Sequence, residues 1–131
     1  MYTAYFFKSL EFGPRTVSIG EKQGPMHGME DMICIHTTSK DVRYTFKERN
    51  FIKSQFLGLA VLDGHYKADV AHYASTRLFQ EFEKQMGMGK GVELALSDTM
   101  ATMDDEILAD NLEGGTTVVV AVLFHHEVVR L

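Results

Sequence analysis

Phe56-Leu57-Gly58-Leu59-Ala60-Val61-Leu62-Asp63-Gly64-His65 is an apolar run that stops at an acidic residue, a glycine and a histidine. A continuous apolar stretch of this length reads as a strand buried on both faces. A helical period follows directly: from Ala68 to about Met86, Val70, Ala71, Ala74, Leu78 and Phe82 fall mostly on one face, with Arg77, Glu81 and Lys84 elsewhere. A buried strand ending in Asp-Gly-His puts a carboxylate at a sheet's edge, where metal and substrate sites commonly form.

Outward from this centre the chain alternates strand-like and helical patterns. Upstream, Gly13-Pro14 and Gly24-Pro25 punctuate a possible short opening strand, the alternating Thr16–Gly20 stretch and a strand over Met32–Thr37. Lys40 to Lys53 is polar and mixed in charge, and reads as a long connection or solvated excursion. Downstream, Gly87-Met88-Gly89-Lys90-Gly91 follows a helix instead of a strand and contains no Gly-Lys-Ser/Thr, so it reads as a flexible connector and not a phosphate loop. Val92 to Leu108 returns to helical spacing, with methionines filling core gaps and Asp104, Asp105 and Glu106 as a solvated face. Asp110 to Gly115 is a turn. Thr116 to Phe124 is β-branched, and His125-His126 connects it to a last strand over Glu127–Leu131.

Composition bounds the rest. At 131 residues, 45% hydrophobic and 24% charged, the chain is sized for one soluble domain with a real core. A net charge of −5 argues against a global nucleic-acid footprint, and no basic cluster favours an anionic membrane. No stretch approaches the roughly 18 apolar residues of a membrane span. Neither a signal nor a transit pattern opens the chain, which gives a cytoplasmic default. Cys34 is the one cysteine, so no intrachain disulfide forms, and it reads as a small buried hydrophobe.

Three carboxylates stand where chemistry could gather. Glu30 and Asp31 head one strand and Asp63 ends another, so antiparallel neighbours would bring them together. Hard cations such as Mg²⁺ and Mn²⁺ take oxygen ligands of this kind, backbone carbonyls included. Gly64 would let the backbone approach closely enough to offer one. His65 titrates near neutrality when unperturbed and could act as a general acid.

In their order along the chain, Gly28-Met29-Glu30-Asp31, Val61-Leu62-Asp63-Gly64-His65, the helix carrying Val70-Ala71-His72-Tyr73-Ala74, and Gly114-Gly115-Thr116-Thr117-Val118-Val119-Val120 resemble the first half of the metal-dependent protein serine/threonine phosphatases of type 2C, the PPM family. The resemblance covers roughly residues 15–131 and makes 1–131 a single partial domain. It implies an α+β fold: a truncated portion of an α-β-β-α sandwich, antiparallel sheets flanked by helices. It further implies a dinuclear Mg²⁺ or Mn²⁺ centre whose water attacks a phosphoserine or phosphothreonine ester in a phosphoprotein. By resemblance Asp63 bridges the metals, Gly64 offers its carbonyl, Glu30 and Asp31 hold metal-bound waters, and His65 is the acid for the leaving oxygen.

The chain departs from the family pattern at three points. Met26 stands where a phosphate-gripping arginine is usual, and it offers neither charge nor a bidentate fork. Asp-Gly-His-Gly-Gly has become Asp63-Gly64-His65-Tyr66-Lys67. The sequence stops before the family's second half, with its Gly-Asp-Ser, Asp-Gly and Asp-Asn motifs. The expectation is therefore a catalytically inactive binding or structural subunit, with a protein partner or assembly covering exposed sheet edges. The alternative is a working phosphatase that takes its remaining ligands from a second chain or a longer product.

Overall fold

The computed structural model describes residues 5–12, 15–22, 31–38, 42–46, 50–124 and 128–130. The chain divides into two units, residues 1–30 and 31–131. The first holds an antiparallel hairpin of β1 (Tyr5–Phe12) and β2 (Arg15–Lys22).

The second unit is built on a four-stranded antiparallel sheet in the order β3 (Asp31–Thr37), β6 (Phe56–His65), β7 (Gly115–Phe124) and β8 (Val128–Arg130). A separate hairpin of β4 (Val42–Phe46) and β5 (Asn50–Ser54) lies between β3 and β6 in the chain. Helices α1 (Asp69–Gly87) and α2 (Val92–Ala109) pack on each other, and α1 lies across β3, β6 and β7. The fold is α+β with antiparallel pairing throughout. No helix among the described residues is long and apolar enough to cross a membrane.

A paired hairpin over 42–54 stands where the sequence reads as a long connection or solvated excursion, and it corrects the first of these. Its β4 strand alternates Val42, Tyr44 and Phe46 with Arg43 and Thr45, a period of two that the flanking charges mask. In register Tyr44 lies opposite Ile52 and Phe46 opposite Asn50. Val42 is half-buried against the core.

β6 alternates, which separates it from a strand buried on both faces along its whole length. Phe56, Ala60 and Leu62 turn to the helices with Val120, Val122 and Phe124 of β7, and meet Ala71, Ala74, Leu78, Phe79 and Phe82 of α1. Val61, Asp63 and His65 turn the other way and are exposed. The contact that seats α1 is at Gly58, where a Cβ would lie 2.3 Å from the Phe79 ring. Around that ring, His36 of β3 stacks at 5.6 Å and Phe82 meets it edge-on at 6.5 Å. His36 Nε2 is also 2.7 Å from Glu83 of α1. Cys34 is half-buried and donates its thiol to the Ser75 carbonyl at 3.1 Å, and burial pushes its pKa up.

A line of polar side chains joins the two helices. Tyr73 donates its hydroxyl to Glu106, and Arg77 bonds both Glu106 (2.9 Å) and Glu81 (3.1 Å). Gln85 donates to Glu81 at 2.8 Å, while Lys90 donates to Gln85 and pairs with Asp98 at 2.7 Å. Glu81 is only 2% exposed, so its carboxylate depends on these donors. Asp104 and Asp105 are exposed as expected of a solvated face, but Glu106 is not part of that face: it faces α1 and binds Arg77.

Two outcomes follow. Gly58→Ala should lower unfolding stability by about 1–3 kcal/mol, because the Phe79 ring is itself packed and cannot move aside cheaply; equilibrium denaturation measures this. The Arg77 and Tyr73 hydrogen bonds hold the Glu106 carboxyl below its ordinary pKa. A depressed folded pKa gives stability that is present above the ordinary carboxylate range and lost as pH falls through the folded value. Glu106→Gln should therefore be less stable than wild type at pH 7, with the gap closing below about pH 4.

Candidate functional site

The strand ends around Asp63 are assembled by register. Asp31 lies directly across from Asp63 on one side, and Thr117 directly across on the other. Directly opposed residues in an antiparallel pair project to the same face with their Cβ atoms about 5 Å apart, so Asp31, Asp63 and Thr117 form one row. Thr116 pairs with Gly64 and Gly115 with His65. The sequence segments around Asp31, Asp63 and Gly115 thus meet at one end of the sheet. Asp31 and Asp63 are exposed, Gly64 is buried, and His65 is exposed. Glu30 and Met26 lie outside the described residues.

Glycines shape this end. A Cβ on Gly115 would fall 2.3 Å from His65 Nε2, so the imidazole lies over the bare backbone of its cross-strand partner. Gly114 has φ of +96°, and a Cβ there would meet the Lys67 carbonyl oxygen at 2.7 Å and that of His65 at 2.9 Å. The turn after β6 and the entry to β7 therefore approach each other backbone to backbone.

Between them sits Tyr66, with φ of +71°. A bulky side chain in the left-handed region carries a steric cost that glycine does not. Tyr66 is 76% exposed, and the Lys67 ammonium stands 5.8 Å from its ring centroid while also pairing with Glu113.

Asp31 and Asp63 are the oxygen donors a hard cation prefers. Among the described residues, however, no three His, Cys, Asp or Glu side chains converge closely enough to hold a metal ion. Among the described residues, the donor type fits Mg²⁺ or Mn²⁺ and the two opposed carboxylates are fewer donors than a dinuclear centre takes. His65 shares the exposed face with Asp63 but sits two residues along the strand, over Gly115.

Beyond this row, the face away from the helices is aliphatic. Val61 and Val119 are directly opposed and are 50% and 65% exposed, with Ile33 beside Val61 on β3. Leu59 and Ala121 continue the surface half-buried, and it closes at the fully buried Leu57. Sequence reading missed two features of this region. The conformation of Tyr66 has no signal in its residue type. The exposure of Val61 is hidden inside a run that reads as wholly buried.

No family model, curated protein or solved structure matches the chain.

Tyr66→Gly removes a left-handed cost of about 1–2 kcal/mol and adds unfolded-state entropy of about 0.5–1 kcal/mol. A net gain between zero and about 1.5 kcal/mol is expected by thermal or urea unfolding. Gly114→Ala has the opposite sign, a loss exceeding about 1 kcal/mol, since the new methyl meets backbone on a positive φ.

Proposed function

We propose that this chain is a type 2C phosphatase-like domain that serves as a binding or structural subunit of a protein assembly and does not turn over phosphoprotein by itself. The single observation that carries the binding role is the Val61–Val119 pair. Two aliphatic side chains at half exposure or more, opposite each other on the sheet face away from the helices, form a surface suited to another polypeptide. The family part of the reading has separate support. The family has glycine after Asp-Gly-His, and here Tyr66 takes the left-handed backbone that glycine would adopt. The fine architecture, part of an α-β-β-α sandwich, belongs to this proposal.

A second reading keeps the chemistry. Opposition of Asp31 and Asp63 favours a Mg²⁺- or Mn²⁺-dependent serine/threonine phosphatase whose further ligands come from a second polypeptide or a longer product. Met26 in place of the phosphate-binding arginine and Tyr66-Lys67 in place of two glycines favour the binding role over this one.

Assay of the chain with Mn²⁺ and a phosphothreonine peptide separates the two. The expected result is no metal-dependent hydrolysis and no tight Mn²⁺ uptake in calorimetry. Turnover that needs Mn²⁺ and disappears in Asp63→Asn would establish the second reading. The binding surface itself should enhance the fluorescence of an apolar dye, and the Val61→Ser/Val119→Ser double variant should lower that signal with its circular dichroism unchanged.

A further inference from the structure

We infer that the outer face of α2 is a docking surface for a basic amphipathic helix of another polypeptide, seated along Leu94, Ala101 and Leu108 with its lysines or arginines against Asp104 and Asp105. This surface lies on the helix side of the second unit, apart from the Val61–Val119 pair, and goes beyond the binding role drawn from that pair.

The outermost line of α2 is apolar. Val92, Ala95, Leu96, Thr99 and Met103 turn one side of the helix into the unit. At 3.6 residues per turn, Leu94, Ala101 and Leu108 fall within about 40° of one another on the opposite side. Leu94 is 53% and Leu108 69% exposed, and Ala101 between them is exposed. A surface helix ordinarily puts polar residues on that line.

Spacing selects a helix. Seven residues of α2 rise about 10.5 Å, and a partner helix with apolar residues seven apart repeats at the same interval. Ala101 leaves a hollow between the two leucines, a place for a large side chain in the knobs-into-holes manner. One face of a strand repeats at about 6.7 Å, so an extended segment in step with Leu94 is out of step at Ala101.

Charge selects a basic partner. α2 contains no lysine, arginine or histidine. Asp104 and Asp105 are exposed and flank the apolar line on its two sides. Among the described residues no lysine or arginine pairs with either, whereas Asp98 is held by Lys90 and Glu106 by Arg77. Both stand toward the C-terminal end of α2, where the helix carbonyls add partial negative charge and the last turn has no basic residue. A cation arriving there is attracted by the carboxylates and the helix end together. A second copy docked α2 to α2 would set acid against acid, and an anionic membrane is repelled in the same way.

The chain has no tryptophan, so a peptide carrying one reports on itself. The probe is a 21-residue alanine-based helix with a leucine at every seventh position, lysines flanking the leucines, and a single tryptophan. One control has glutamate at every lysine, a second has serine at every leucine, and a third alternates leucine and lysine as a strand. Fluorescence anisotropy should show the probe binding and each control at least tenfold weaker. Leu94→Ser/Leu108→Ser should weaken probe binding at least tenfold. Asp104→Asn/Asp105→Asn should weaken it about threefold to tenfold and flatten its salt dependence, while Val61→Ser/Val119→Ser should leave it unchanged. All the altered positions are exposed, and circular dichroism verifies the fold of each variant. No binding of the probe, binding of any control as tight as the probe, or indifference to the leucine substitutions would overturn the inference. Sedimentation without peptide should show no self-association that depends on Leu94 and Leu108. A dimer dissolved by the leucine substitutions would make a second copy the occupant and overturn it. Loss of probe binding in Val61→Ser/Val119→Ser alone would move the site to the sheet face, overturning this inference and leaving the binding-subunit reading intact.

Discussion

The missing side chain at Gly58 is the constraint on which the second unit depends. It allows the Phe79 ring onto the backbone of β6, at a distance that no other residue permits. Phe79 lies midway along α1, so this contact fixes both how closely the helix approaches and where it sits along the strand. The surrounding rings follow from it: Phe56 packs edge-on to Phe82 at 5.3 Å and tilted to Phe124 at 5.9 Å, drawing β7 into the same cluster. With one face of the sheet committed to α1, strict alternation along β6 delivers every other residue to the opposite face. The exposure of Val61, Asp63 and His65 is thus the far side of the packing at Gly58, Ala60 and Leu62.

Much of this arrangement is legible in the chain. Both helices fall where the apolar period places them, because their buried faces are long enough for the pattern to dominate individual residues. The strands over 31–37, 56–65 and 115–124 follow from β-branched and apolar runs bounded by glycine and acid. Antiparallel pairing then brings Asp31 to Asp63, an outcome that strand direction alone makes available. The 42–54 hairpin is not legible as structure, since its alternation is short and interrupted by charged residues in the sequence. Nor could the sequence distinguish which half of an unbroken apolar run meets solvent. That depends on a helix being on one side only, which is a tertiary fact.

The acidic end of the sheet combines two kinds of residue. Gly114 permits backbone approach, and Gly115 gives the imidazole of His65 a surface to lie on. Tyr66 does the reverse, placing bulk where the backbone favours its absence. A turn shaped for glycine yet occupied by tyrosine keeps its geometry because the strands on either side are paired through their last residues. Such a turn can present a large ring to solvent without the freedom of an ordinary loop.

The line of side chains between α1 and α2 has a consequence for how this sequence can change over time. Glu81 is buried and is served by Arg77 and Gln85, which are in turn engaged with Glu106 and Lys90. Loss of Arg77 or Gln85 leaves one oxygen of the buried Glu81 carboxylate unserved, so single replacements are penalised where joint ones need not be. Drift at these positions should be concerted. Among relatives of this chain, residues 77, 81, 85 and 106 are expected to vary as a set, with the whole polar line kept or the whole line exchanged for an apolar seam.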